Sequence, residues 1–111
     1  MFAAFARRDI EAVLPYLDAD IELQVPSTSG FAGRTGPYRG HQGIRDYFAD
    51  VAAVWDELVV EPEDFRATDG AVVIFGHVHG RRGQRRIETR VLWSWKLRAG
   101  KVISGAVFNT P

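Results

Sequence analysis

"RIETRVLWSWKLRAGKVISGAVF", residues 86–108, decides the fold, because its apolar residues recur at every second position. Ile87, Thr89, Val91, Trp93, Trp95 and Leu97 share one side of an extended chain, while Glu88, Arg90, Leu92, Ser94, Lys96 and Arg98 share the other. The spacing predicts two antiparallel strands, about 86–98 and 101–109, joined by a tight turn at "RAGK". The side that carries two tryptophans is the interior.

Working upstream, "IFGHVHGRRG" at residues 74–83 belongs to a strand at about 71–79 that turns at "RRGQ". Val72, Ile74, Gly76 and Val78 make a purely apolar face, which leaves Ala71, Val73, Phe75, His77 and His79 on the outside. A one-residue bulge would reverse that assignment. A further strand at about 58–66 completes an antiparallel meander.

The first half of the chain reads as helix. Phe2 and Phe5 sit on a helix ending near Arg8, and Asp9 is placed to cap a second one through Val13, Leu14 and Leu17. Pro15 removes a backbone donor, so that second helix is short or kinked. "DIELQV", residues 20–25, alternates up to Pro26 and reads as a short strand. "PSTSGFAGRTGPYRG", residues 26–40, has no period and reads as a loop long enough to cover something. Ile44, Tyr47, Phe48, Val51, Val54 and Trp55 then form the stripe of an amphipathic helix. Helices followed by a meander make the class α+β, and 111 residues suit one domain over 1–111.

Composition excludes several chemistries. Without cysteine there is no thiolate metal site, disulfide or thiol nucleophile. No apolar run reaches the ~18 residues of a membrane span, and "MFAAFARRD" is too short for a secretory signal, so a cytoplasmic location and no membrane partner are expected. Net charge is zero but divided: residues 1–69 hold 13 of the 14 acids, and five arginines crowd between Arg81 and Arg90. No aromatic residue is interleaved with those arginines as a stacking platform requires, so they read as a solvated basic face and not as a nucleic-acid surface. His77 and His79 lie on one side of a strand, and His41 is the third histidine. No carboxylate is placed to complete a set with them, since Glu88 follows His79 by nine residues, so no metal and no cofactor are expected.

Taken together, "FAAFARRDIEAVLPYLDADIEL", "GPYRGHQGIRDYF" and "WSWKLRAGKVISGAVF" resemble the SnoaL-like polyketide cyclases of the nuclear-transport-factor-two-like superfamily, relatives of steroid isomerases and limonene epoxide hydrolases. The resemblance implies a cone-shaped α+β barrel: three N-terminal helices on a curved, mostly antiparallel sheet around an apolar pocket. It also implies a homodimer through the outer face of the sheet, where His77 and His79 would lie, and more of the first helix before "FAAF".

Enzymes of that kind use carboxylates, histidines or tyrosines inside the cone, where burial raises a carboxyl group's pKa into a useful range. At the positions matching their acids this chain has Trp93 (or Leu92), Val25, Val78 and Val107, and Gly76 where the epoxide hydrolases carry an arginine. The polar residues left near the pocket are Glu22, Gln24, Asn109 and the tyrosines Tyr16, Tyr38 and Tyr47. The expected binding wall is Tyr16, Gln24, Tyr38, Tyr47, Ile74, Val78, Trp93, Val107 and Asn109, suited to an apolar or weakly polar organic ligand. A ligand-binding protein without the usual acids is therefore the first expectation. The alternative is an isomerase, cyclase or dehydratase acting on a small polyketide- or steroid-like ring, with Glu22 as base and Tyr47 or Asn109 as donor. A protein-interaction domain that uses the sheet face comes third.

Overall fold

The hairpin of residues 85–109 forms the middle of a six-stranded sheet in the computed structural model, which describes residues 1–109. β1 is Leu17–Gln24, β2 Tyr38–Arg39, β3 Glu57–Thr68, β4 Ala71–Arg82, β5 Arg85–Arg98 and β6 Lys101–Asn109. Their order is β2-β1-β6-β5-β4-β3; only the β1–β6 pairing is parallel. β2 and β3 are the two edges and do not meet, so the expected barrel is in fact a curved, open sheet. The β5–β6 turn puts Ala99 and Gly100 both at positive φ (52° and 79°), the demand of a two-residue turn whose twist matches its strands.

Alternation holds along β4 and β5, which pair in unbroken register from Ala71↔Lys96 to Arg82↔Arg85. Ile74, Val91 and Trp93 are buried together, and Val72 and Val78 pack against them. Bulges fall elsewhere, between Pro62 and Asp64 of β3 and between Lys96 and Leu97 where β5 meets β6, and they bend the sheet where it wraps the core. Gly76 sits opposite the β3 bulge. A Cβ there would fall well inside contact distance of the Glu61 carbonyl oxygen and 2.9 Å from Trp93 Cζ3, so only glycine fits.

Among the described residues four α-helices, one more than expected, cover the inner face. α1 is Phe2–Ala6, α2 is Ile10–Val13, α3 is Pro26–Ala32 and α4 is Gly40–Val54. Asp9 caps α2 by accepting from the Ala12 amide at 3.2 Å, and Pro15 turns the next residues, Leu14–Tyr16, into a 3-10 turn. Leu17 thereby opens β1 instead of continuing a helix, so the strand is longer than the expected 20–25.

α3 corrects the reading of residues 26–40 as loop. Pro26 presets the first helical φ, Ser29 Oγ donates to the Val25 carbonyl at 2.9 Å, and Gly33 ends the helix at φ 74°. Tertiary contacts override the weak propensity of "PSTSG". Thr28, 1% exposed, accepts from Trp55 Nε1 at 3.1 Å, and Phe31 meets the Trp55 ring edge-on. Trp55 itself caps α4 in an extended conformation and lies outside the helical stripe. Among the described residues no helix is long and apolar enough to cross a membrane.

On the outer face His77 pairs with Glu63, and His79 lies 3.0 Å from Glu61 and 3.7 Å from Glu88. His41 is elsewhere, donating from Nε2 to the Leu17 carbonyl at 3.0 Å.

Candidate functional site

Two buried clusters make up the interior. The larger joins α1, α2, β1 and α4 with Val102; the smaller is Ile74, Val91 and Trp93 on the sheet. They do not close on each other. Between them lies a cavity of about 100 Å³.

Each element brings its wall by its own period. β1 turns Ile21 and Leu23 inward and Val25 follows it, α4 brings Ile44, Tyr47 and Phe48 at helical spacing, and β5 and β6 add Trp93, Trp95, Gly105 and Val107. Met1, Phe2 and Phe5 close one end. The Phe2 ring stacks on Trp95 at 5.2 Å and meets Trp93 edge-on at 5.2 Å, so α1 is fastened by aromatic contacts. Of the seventeen residues lining the cavity, Tyr47 alone has a titratable side chain.

Tyr47 is 9% exposed, with its ring held by Phe5, Tyr38 and Phe48. Burial pushes its phenol well above the ordinary tyrosine range, so the hydroxyl is neutral and able to donate. Among the described residues no buried side-chain nitrogen or oxygen is left without a hydrogen-bond partner.

The residues singled out in the sequence fall into three groups. Tyr47, Trp93 and Val107 line the cavity. Ile74, fully buried, and Val78 stand on the same inner face but pack in the smaller cluster behind Trp93. The others lie outside the lining. Tyr16 is 53% exposed, and Gln24 and Asn109 are exposed at the ends of their strands. Glu22 is half-exposed and bound to Arg39, because the alternation that turns Ile21 and Leu23 inward turns Glu22 and Gln24 out. Tyr38 is buried but gives its hydroxyl to Asp50 at 2.8 Å; burial first, then that bond, raises its pKa. Arg34 binds the same carboxylate and holds Asp50 below the usual carboxylate range, with Tyr38 adding to the effect.

Phe2, Phe5, Leu23 and Phe48 were not singled out as site residues. The phenylalanine pair at i, i+3 in "FAAF" was the available signal for α1, but it marks a helix face without saying what that face covers.

Against known proteins, a family model described as the SnoaL-like domain matches residues 1–105. No curated protein matches the sequence. Among solved structures the chain is 28% identical to TerC, crystallised with polyporic acid; the TM-score is 0.87 and the match covers 98% of this chain and 85% of TerC. It is 27% identical to a nuclear-transport-factor-two-like protein from Burkholderia xenovorans, with a TM-score of 0.79 over 98% of this chain and 82% of that one. A putative polyketide cyclase from Sinorhizobium meliloti shares the fold at 17% identity, with a TM-score of 0.74 over 96% of this chain and 88% of that one.

Proposed function

The chain belongs to the SnoaL-like domain family, a fold that serves ligand binding or cyclase- and isomerase-type chemistry, and from that membership we propose that it binds a small, uncharged ring compound in the cavity between α1, α4 and the sheet. The observation that carries this reading is the lining: aliphatic and aromatic side chains whose polar groups are the Tyr47 hydroxyl, the Trp93 and Trp95 indoles and the Met1 thioether, with no carboxylate, imidazole or guanidinium side chain. Such a wall favours apolar rings by burying their surface, and it offers no base to move a proton between carbon atoms. Glu22, the carboxylate considered for that task, is engaged by Arg39 away from the lining, so we assign no reaction to it. The direct test is calorimetric titration with a panel of one- and two-ring compounds, with polyporic acid included on account of TerC. Saturable binding that is lost when Val107 is replaced by Trp to fill the cavity supports the reading. An absence of saturable binding across the panel overturns it.

We propose also that the outer face of the sheet pairs with a second copy. Phe75, Leu92 and Phe108 are in register across β4, β5 and β6 and form an apolar row, with Phe75 and Phe108 exposed. Arg90 and Lys96 flank Leu92 along β5, and Glu61 of β3 lies beyond His77 of β4, so charges of both signs rim the row. Light scattering after gel filtration should give twice the chain mass of 12.4 kDa, and Phe75→Glu should halve it. A monomer at all concentrations refutes the pairing.

A further inference from the structure

Where a helix ends in a left-handed residue, that residue is usually glycine. At the end of α1 it is Arg8, at φ 56°. Arg7 closes the helix, the Arg8 amide returns to the Phe5 carbonyl at 2.9 Å, and the Asp9 amide returns to the Ala4 carbonyl at 2.9 Å. That pair of bonds requires the left-handed conformation between Arg7 and Asp9, where a side chain crowds its own backbone. α3 meets the same demand with Gly33 at φ 74°. Arginine is locally unfavourable here, and its side chain is what offsets the strain.

The Arg8 guanidinium reaches in two directions. One Nη donates back to the Phe5 carbonyl at 2.6 Å, and the other donates across to the Leu58 carbonyl of β3 at 2.7 Å, fifty positions along the chain. The cation also lies over the Phe5 ring, 4.4 Å from its centroid. Among the described residues, the bond to Leu58 is the one hydrogen bond that joins residues 1–9 to the sheet. The other ties are contacts of rings: Phe2 with Phe65, Trp93 and Trp95, and Phe5 with Tyr47 and Phe48. A helix of five residues does not hold itself in water, so α1 stays in place through these few contacts.

We propose that α1 is a flap over the cavity, hinged at residues 7–9 and latched by the Arg8 guanidinium on the Leu58 carbonyl. Met1, Phe2 and Phe5, which close one end of the cavity, travel with it. The latch suits repeated opening. A charged hydrogen bond is directional and breaks over a short displacement, and water replaces the carbonyl once the guanidinium swings out, so release leaves no unpaired cation. The hinge keeps its own two backbone bonds, so α1 moves as a unit instead of unravelling. The flap belongs to the empty chain and stands or falls apart from whether the cavity takes a ligand.

Arg8→Gly separates the latch from the cap, because glycine suits the left-handed turn better than arginine and the change removes the guanidinium. If Arg8 served only to end the helix, this variant would hold α1 as tightly as the parent or more so. As a latch lost, it should speed hydrogen exchange at the Phe5, Arg7 and Asp9 amides about tenfold, the worth of one charged hydrogen bond, while the amides of β4 and β5 keep the parent rate. Unchanged exchange in α1 overturns the latch, and so does an equal rise in every element, which is global unfolding. A chain without cysteine allows a second readout. Val102 is buried on the cavity wall, so the thiol of Val102→Cys reports access when its reaction with an aromatic disulfide is timed with Arg8 present and with Arg8→Gly. Labelling should quicken by the same factor as exchange in α1. Labelling that stays constant while α1 exchange rises overturns the flap as the way into the cavity.

Discussion

The same substitution should have opposite effects at two glycines. At Gly76 an added Cβ meets Trp93 Cζ3 at 2.9 Å and the Glu61 carbonyl carbon at 3.0 Å, with the carbonyl oxygen nearer still. Ordinary carbon–carbon contact is about 3.5–4.0 Å, so the Trp93 ring must retreat by more than half an ångström. The β3 backbone must move as well, at a bulge already bent around this point. Overpacking costs about 1–3 kcal/mol, and Gly76→Ala belongs at the upper end because backbone is among the atoms displaced. At Gly30, within α3, an added Cβ meets nothing within 4 Å. There alanine gains about 0.8–1.0 kcal/mol from helix propensity alone. For a domain of this size roughly 4 °C accompanies each kcal/mol, so Gly76→Ala should melt about 10 °C lower and Gly30→Ala about 3 °C higher than the parent. Thermal unfolding followed by far-ultraviolet circular dichroism reads both. If Gly76→Ala melts within about 2 °C of the parent, the crowding at the bulge has been misjudged; if Gly30→Ala falls instead, α3 is not a helix.

Thr28→Val should cost about 1–3 kcal/mol by leaving Trp55 Nε1 buried and unpaired, and Thr28→Ser should restore most of it; urea midpoints for the two variants check this. Ile74→Ala, at a fully buried position, should cost about 2–5 kcal/mol, against about 0.5–1.5 for Ile74→Val, by the same measurement. Asp50 has a depressed pKa in the folded chain, caused first by Arg34, so its contribution is fully present above the unfolded carboxylate value of about 3.9 and is lost as pH falls through the folded value. Asp50→Asn should therefore lower the melting temperature at pH 6 and flatten its decline in acid, and two parallel curves between pH 6 and 2 would refute this.

How far the fold could be read depended on whether neighbours or the local chain decide each element. β4 and β5 were legible because one face of each is sealed against the core, which forces a strict period of two, and no bulge interrupts their pairing. The amphipathic stripe of α4 was legible for the same reason at another period, up to Trp55, whose apolar side chain extends the pattern though its backbone leaves the helix. α3 was not legible. Its serines and glycine favour turns, and what holds it is Trp55, twenty-seven positions from Thr28 and invisible to local pattern. Leu17 illustrates a third case, a leucine at helical spacing from Val13 and Leu14 that a proline two residues earlier releases into a strand. Of the site, the inward faces of β5 and β6 were readable, whereas the face of Glu22 and Gln24 and the role of Phe2 required the packing of β1 and α1.

The absence of acids from the cavity wall and the presence of the cavity have to be considered together. Burying a carboxylate in such a wall is expensive, so apolar residues at Val25, Trp93 and Val107 make the interior easier to fold. A void works the other way: about 100 Å³ at roughly 24 cal/mol per Å³ costs about 2 kcal/mol, a substantial part of the 5–15 kcal/mol that holds a typical domain together. That penalty ends when a compound of matching shape enters, so the free energy that the empty chain forgoes is what such a compound gains on binding. A core shaped only for stability would have closed over this space by enlarging Val60 or Val107.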